Sequence, residues 1–140
     1  MIRILGSEGQ ILKSLIRKGK SSAPQLSMDT RLGKGTTYYT LKELIVKNYV
    51  KEYGGIYEVT REGIEAFWST ILSNDLASKL VKVSEEAGIS TYDLVELGVR
   101  LLLDIIEYGM FSDEVKRFIE EYDPALARKL VSLTREEVVS

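Results

Sequence analysis

The sequence predicts a mainly α-helical protein with one small β-hairpin. Apolar residues recur at helical spacing along most of the chain, and most of these runs are bounded by capping residues and glycines. Gly54 and Gly55 separate two short β-type runs, which is a strong hairpin signal. The pattern changes after about residue 70, so we divide the chain into a domain over residues 1–70 and a helical region over residues 71–140.

The first predicted helix is short and amphipathic. Ser7 and Gln10 have the spacing of a capping box, in which each side chain satisfies a free backbone N–H group at the helix start. The apolar pattern then predicts a helix over about residues 8–18, and Gly19 supplies the stop.

A second short helix follows. We expect Ser21 or Ser22 to cap it, because Pro24 then falls in the first turn, where a missing N–H group is harmless. Leu26 and Met28 are the residues that we expect to face the core.

The next helix, from Thr36 to about Lys47, has a polar outer surface. Its apolar side is predicted to consist of Tyr38, Leu41, Leu44 and Ile45. The remaining surface is shared by Thr36, Thr37, Tyr39, Thr40, Lys42 and Glu43. Hydroxyl groups can hydrogen-bond base edges or phosphates, and threonine methyl groups can contact thymine methyl groups. This surface therefore suits contact with a DNA groove better than ion pairing.

Two strands, over residues 50–53 and 56–59, are predicted to flank a Gly54-Gly55 turn, whose positive φ angles match the twist of a hairpin. In that register the facing pairs are Val50 with Val59 and Lys51 with Glu58. Thr60 is then the N-cap of a helix that carries Ile64, Phe67 and Trp68.

Beyond about residue 73 the sequence predicts further helices with clear boundaries. One begins at Asn74 or Asp75 and ends at Gly88, one is capped by Ser90 with Asp93 and ends at Gly109, one begins at Ser112, and one begins at Asp123-Pro124.

The predicted helix over residues 91–108 is apolar around most of its circumference. Such a helix must be buried on all sides, and a tail of this length has few elements that could bury it. We therefore expect a second copy of the chain to cover it, and a ligand pocket is the alternative use of the same residues. The residues assigned to dimerisation are Leu94, Val95, Leu97, Val99, Leu101, Leu102, Ile105 and Ile106.

The composition excludes several classes of site. The 140 residues contain no cysteine and no histidine, so disulfides, thiol nucleophiles and the usual zinc or haem ligands are absent. We expect no catalytic residues, no metal and no cofactor. The run from Met1 to Gly6 is too short for a signal peptide, and no stretch of about 18 apolar residues predicts a membrane span. We expect a cytoplasmic protein that is not an enzyme and has no membrane partner.

The charge is distributed unevenly. Residues 1–62 hold 11 Lys and Arg against 6 Asp and Glu, a net of +5, whereas residues 63–140 hold 8 against 15, a net of −7. The basic half can approach phosphates, and the acidic half should face away from them.

Two segments resemble winged helix-turn-helix regulators of the PadR-like and MarR-like kind. The segment from Gly35 to Leu44 resembles their Gly-Thr-x-Tyr-x-x-Leu-x-x-Leu recognition helix, and the segment from Tyr57 to Gly63 resembles the Tyr-x-x-Thr-x-x-Gly signature that closes their hairpin wing. The resemblance covers about residues 5–68. It implies a winged helix-turn-helix domain that binds double-stranded DNA. With the apolar helix over residues 91–108 assigned to a helical dimerisation region, we expect a homodimeric regulator that acts on a palindromic site. A small regulator that occupies a promoter more often represses than activates, so we expect a repressor.

The resemblance also implies roles for individual residues. Arg31 and Lys34 lie at the entrance of the recognition helix and are expected to contact phosphates. The expected contacts of the helix itself are Thr36, Thr37, Tyr38, Tyr39, Thr40 and Lys42, and those of the wing are Lys51, Tyr53, Gly54 and Gly55. The wing tip carries no arginine, unlike wings that read the minor groove.

Another function is compatible with the same residues. Winged helices also dock proteins in transcription and chromosome-segregation assemblies, and the modest positive charge is consistent with that use. A small-molecule effector is possible, but no residue pattern supports one. Without cysteine or histidine, redox and physiological-pH sensing lack their usual side chains.

Overall fold

A computed structural model of the chain describes residues 6–109 and 112–130. They form a mainly α-helical structure with one small antiparallel sheet, so the predicted fold class is confirmed. In chain order the elements are α1 Ser7–Lys18, β1 Lys20–Ser22, α2 Ala23–Thr30, α3 Lys34–Val46, β2 Val50–Tyr53, β3 Ile56–Val59, α4 Arg61–Ser69, α5 Asn74–Ala87, α6 Thr91–Tyr108 and α7 Asp113–Tyr122. Residues 124–130 are also helical. Most of the amino-terminal apolar run, residues 1–5, lies outside the described residues.

The helix boundaries follow local side-chain chemistry. At most helix starts a side-chain oxygen accepts a hydrogen bond from a backbone N–H group of the first turn, which would otherwise have no partner. These caps are Ser22, Thr60, Ser73, Ser90, Ser112 and Asp123. The predicted stops are confirmed at Gly19, Gly88 and Gly109, each with positive φ.

The predicted cap of α1 is wrong. Gly6 is the N-cap, no side chain caps the helix, and Ser7 is already its first residue. The Gln10 backbone N–H group donates to the Gly6 carbonyl at 3.0 Å, so the backbone alone forms this helix start.

The hairpin is confirmed in its bounds and its register, with Lys51 opposite Glu58. Gly54 and Gly55 have φ angles of 56° and 84°, as a primed turn requires. The sheet also contains a strand that the sequence analysis did not predict. This strand, β1, pairs with β3, so the strand order is β1-β3-β2.

A close approach fixes the start of α4 against the turn after α3. The Thr60 backbone N–H group donates to the Tyr49 carbonyl at 2.9 Å, and the Thr60 hydroxyl donates to the Asn48 carbonyl at 2.8 Å. Gly63 lies against the same turn. A Cβ atom there would overlap the carbonyl oxygen of Tyr49 and lie 2.9 Å from Cγ2 of Val59, so this position requires glycine.

The core of the first compact unit is built around α1, which packs against α2, α3, α4 and the sheet. Its fully buried side chains include Ile11, Leu12, Leu15, Leu26, Leu41, Leu44, Val50, Phe67 and Val81. The expected burial of Leu26 is confirmed, but that of Met28 is wrong, since Met28 is 74% exposed. Two residues apart on a helix point in nearly opposite directions, so these two side chains cannot share one core.

The first compact unit ends at Leu94. It therefore includes α5, which packs on α4, and the first turn of α6. The structural division lies further along the chain than the sequence division near residue 70.

The first turn of α6 is attached to α4 by a buried polar contact. The Trp68 indole Nε1 donates to the Thr91 hydroxyl at 2.8 Å, and both residues are buried. The Tyr92 ring lies 4.9 Å from the Trp68 ring, and the Arg17 guanidinium carbon lies 5.3 Å from the Tyr92 ring centre. Aromatic packing, a buried hydrogen bond and a cation–π contact thus meet where α6 begins.

The second compact unit begins at Val95. Among its described residues only Ala127 is buried. The apolar side of α7 is formed by Val115, Phe118, Ile119 and Tyr122, and Phe118 and Tyr122 are largely exposed. No helix in the described ranges is both long enough and apolar enough to cross a bilayer.

Candidate nucleic-acid interface

Helix α3 divides into a buried side and an exposed side. The buried side consists of Thr37, Thr40, Leu41 and Leu44. The expectation that Thr37 and Thr40 contact DNA is therefore wrong, since they are 0% and 3% exposed. The Thr37 hydroxyl donates to the Gly33 carbonyl at 2.9 Å, so its polar atom has a partner within the helix and its methyl group can pack in the core.

Two other residues of α3 are more exposed than predicted. Tyr38 and Ile45 were expected on the apolar side of α3, but they are 46% and 39% exposed. The centre of the exposed side is formed by Gly35, Tyr39, Lys42 and Val46, which recur at helical spacing. Thr36 is exposed beside them. Of the residues assigned to groove contact, Thr36, Tyr38, Tyr39 and Lys42 thus remain accessible.

The amino-terminal end of α3 is open and positively polarised. Its N-cap is Gly33, no side chain caps the helix, and the first turn contains no acidic residue. The space beside Gly33 and Gly35 is unoccupied, since a Cβ atom added at either residue would meet nothing within 4 Å. Free backbone N–H groups and the helix dipole favour an anion here. Lys34 belongs to this turn, and Arg31 is the left-handed C-cap of α2 just before it.

The basic residues of the first unit differ in whether they are paired with acids. The paired ones are Lys18 with Asp29 at 2.6 Å, Lys20 with Glu58 at 4.0 Å, Lys47 with Glu8 at 2.7 Å and Arg61 with Glu85 at 3.0 Å. By contrast, the four assigned to DNA make no ion pair within residues 6–109 and 112–130, namely Arg31, Lys34, Lys42 and Lys51. Their charges are therefore available to a partner.

Hydrogen bonding strengthens two of these ion pairs. The bond from Lys18 lowers the pKa of the Asp29 carboxyl, and the bond to Glu8 raises the pKa of the Lys47 ammonium. Each shift favours the charged form of Asp29 or of Lys47 and therefore supports the pair that it forms.

A hollow of about 570 Å³ lies between α3 and the hairpin. It is lined by Tyr38, Tyr39, Lys42, Ile45, Glu52 and Tyr57. Burial and the neighbouring Glu52 raise the pKa of the Tyr57 hydroxyl to about 12, so that hydroxyl remains protonated. Sequence reasoning missed Glu52, although strand alternation from the buried Val50 places both residues on the same face of β2.

A smaller hollow of about 350 Å³ lies on the other side of α3, between that helix and the start of α1. Glu8 and Glu43 are among its lining residues. Carboxylates thus flank α3 on both sides, and cations occupy its first turn and its centre. An extended polyanion would be attracted to Lys34 and Lys42 and repelled by the carboxylates of Glu43 and Glu52 beside them.

The hairpin presents a second exposed surface. Lys51, Tyr53 and Ile56 alternate onto its outer face, and Gly54 and Gly55 form the exposed tip. Ile56 was not among the predicted residues, although its pairing with Tyr53 could have indicated it. The predicted wing residues therefore lie together on the surface, with one additional apolar neighbour.

The residues assigned to dimerisation lie on α6, which has little burial within one chain. Leu97, Val99, Leu101 and Leu102 are between 40% and 60% exposed. Leu94, Val95, Ile105 and Ile106 are half-buried. A helix with apolar side chains exposed on most of its circumference is unfavourable in water without a partner.

Comparison of the chain with protein-family models, with curated proteins and with solved structures found no match.

Proposed function

We propose that the first unit is a winged helix-turn-helix domain that binds double-stranded DNA, and that the chain is a homodimeric, sequence-specific regulator. The order of helices and strands up to α4 supports this proposal: two helices and a short strand precede α3, and a hairpin follows it. In this proposal α3 enters the major groove and the hairpin is the wing. Occupation of a promoter by such a dimer would repress transcription. The proposed location of the protein is the cytoplasm.

The observation that carries the proposal is the distribution of available charge. Arg31, Lys34, Lys42 and Lys51 occupy the turn before α3, the helix itself and the hairpin, and none forms an ion pair among the described residues. The uncapped start of α3 adds backbone donors at the same place. Phosphates can be neutralised by these groups, while Tyr39 and Thr36 offer hydroxyl groups to base edges.

The first experiment compares two double charge reversals. Lys34→Glu with Lys42→Glu changes the proposed surface, and Lys79→Glu with Lys82→Glu changes exposed lysines of α5 by the same total charge. A duplex is first selected from random DNA with the wild-type protein, and affinity is then measured by fluorescence anisotropy at several salt concentrations. We expect the first pair to lower affinity at least about tenfold and to reduce the salt slope by about one per lysine that contacts a phosphate. Equal effects of the two pairs would contradict the proposed surface.

The dimer is proposed on separate grounds, namely the exposed apolar side chains of α6. Leu97 and Leu101 lie four residues apart on one side of that helix and are 60% and 58% exposed. Changing both to glutamate should give a monomer in analytical ultracentrifugation, because carboxylates cannot be buried without partners. A two-fold dimer also predicts a palindromic site with half-sites about 10 bp, or a multiple of it, apart. A wild-type protein that sediments as a monomer at tens of micromolar would refute this part.

A specific observation also favours the second function, docking of a protein. The exposed side of α3 carries Tyr38, Tyr39, Ile45 and Val46, and carboxylates flank it. Exposed aromatic and aliphatic residues are typical of protein interfaces. If no duplex is enriched from random DNA and the lysine reversals leave weak DNA binding unchanged, this alternative becomes the better interpretation.

A further inference from the structure

A cleft between α1 and α2 has the features of a small-molecule site and lies outside the residues assigned to DNA. Its volume is about 660 Å³, within the range of about 300–1,000 Å³ typical of ligand sites. Its lining includes Lys13, Ser14, Arg17 and Lys18 from α1, and Asp29 and Thr30 from α2. We propose that this cleft binds a small organic anion that carries a phosphate group.

The charge of the cleft is unbalanced. Asp29 is its only carboxylate among the described lining residues, and it already accepts from Lys18 at 2.6 Å and from the Gln25 amide at 2.9 Å. Lys13 and Arg17 make no ion pair in the described part of the chain. They are four residues apart on α1, so two like charges are neighbours on one face, which is unfavourable without an anion. A phosphate between them would accept from both side chains.

The cleft also contains an unsatisfied hydroxyl group. The Ser14 Oγ atom is buried and has no hydrogen-bond partner. A buried polar atom without a partner costs free energy, and such atoms often mark a site for a water, an ion or a ligand. Ser14 borders the same cleft as Lys13 and Arg17, so its hydroxyl can join the donor set once those two side chains turn toward a bound anion.

Arg17 connects the cleft to the beginning of α6. Its guanidinium lies over the Tyr92 ring, which lies 4.9 Å from the ring of Trp68. An exposed cation–π contact is worth only about 0.5–1 kcal/mol, so a phosphate can compete for the same guanidinium. Trp68 is the only tryptophan of the chain, and its emission therefore reports whether Arg17 remains on Tyr92.

Free phosphate compounds and the DNA backbone share the chemistry that this cleft recognises. The volume exceeds that of a phosphate group and leaves space for an organic part, and α3, which carries the proposed DNA contacts, contributes nothing to its lining. We therefore assign the cleft to a small molecule. This assignment does not depend on the proposed function, because a protein that failed to bind DNA would still bind the anion here.

The experiment uses the full-length protein and three probes: inorganic pyrophosphate, AMP and a random 20-bp duplex. Binding is measured by calorimetry, and Trp68 emission is followed for pyrophosphate and for the duplex. We expect pyrophosphate or AMP to bind with a Kd of about 1 mM or tighter. Lys13→Glu and Arg17→Gln should each weaken that binding about tenfold or more, since each removes a charged hydrogen bond. Ser14→Ala should weaken it less, and Lys82→Glu on α5 is the matched control with no effect.

Three results would overturn the assignment. The first is the absence of saturable binding by either phosphate compound at about ten times that concentration. The second is binding that Lys13→Glu and Arg17→Gln weaken no more than Lys82→Glu does. The third is a change in Trp68 emission that the duplex produces and pyrophosphate does not, which would make the cleft part of a DNA surface. Circular dichroism of each variant checks that the fold is retained, as expected for exposed side chains such as Lys13.

Discussion

Replacing Gly63 with alanine tests whether the contact between α4 and the turn after α3 is as close as the structure indicates. In an exposed helix this change stabilises a protein by about 1 kcal/mol, because alanine has the higher helix propensity. At Gly63 the new Cβ atom would overlap the carbonyl oxygen of Tyr49 and lie 3.0 Å from the carbonyl carbon. Backbone atoms cannot move aside as a flexible side chain can, so we expect the opposite sign.

The magnitude follows from two costs and one gain. Overpacking costs about 1–3 kcal/mol. Displacement of the Tyr49 carbonyl also weakens its bond from the Thr60 backbone N–H group, which is 2.9 Å long, at a cost of about 1 kcal/mol. After the gain in helix propensity of about 1 kcal/mol, the net loss is about 1–3 kcal/mol. For a unit of this size each kcal/mol lowers Tm by about 4–8 °C.

The matched control is Gly35→Ala in α3, an exposed position of the same compact unit. A Cβ atom at Gly35 would meet nothing within 4 Å, so this variant should be neutral or more stable, by up to about 1 kcal/mol from helix propensity. Thermal unfolding followed by circular dichroism measures both variants at one protein concentration. A Gly63→Ala protein that melts at or above the wild-type temperature would refute the packing argument.

Substitutions at three further positions test other contacts. Thr60→Ala removes both the cap of α4 and the bond to the Asn48 carbonyl, so urea unfolding should show a loss of about 2 kcal/mol, and a loss below about 0.5 kcal/mol would be inconsistent with these bonds. Thr91→Val leaves the Trp68 indole N–H group buried without an acceptor, at a cost of about 1–3 kcal/mol in the same assay, whereas Thr91→Ser should retain most of the stability. The pKa of Tyr57 is raised to about 12 in the folded state, against about 10 when unfolded. The protonated hydroxyl therefore contributes fully to the free energy of unfolding below pH 10, and this contribution is lost as the pH rises toward 12. The urea midpoint of Tyr57→Phe should therefore fall less steeply above pH 10 than that of the wild type, and parallel curves would contradict the shift.

Local signals predicted most of the elements. The Gly54-Gly55 turn and the apolar pair Val50 and Val59 defined the hairpin register, because a two-residue turn leaves only one pairing that places both valines on one face. Thr60 and the glycine stops defined helix ends for a similar reason. Each satisfies backbone groups within a few residues, so neighbouring sequence is sufficient to predict them.

The orientation of α3 was predicted less well. Threonine and tyrosine each combine a polar atom with apolar surface. The pattern of apolar residues therefore did not show whether Thr37 and Thr40, or Tyr38 and Ile45, lie on the buried side of α3. Packing decided it: α3 lies against α1 and α2 with Thr37 and Thr40 buried, and the Thr37 hydroxyl is satisfied by the Gly33 carbonyl. Four of the six expected helix contacts, all except Thr37 and Thr40, remain on the surface.

The sequence by itself determined where most of the helices and the two hairpin strands begin and end, how the hairpin pairs, and that the excess of basic residues lies in residues 1–62. These properties depend on interactions between residues close in the chain and on composition. Only the tertiary structure decided that Lys20–Ser22 forms a strand, because this segment of lysine and serines pairs only when β3 offers a free edge. It also decided which cations are paired, where Glu52 lies and how the cleft between α1 and α2 forms. Each of these depends on the distance between residues that are remote in sequence, which packing sets and local sequence does not.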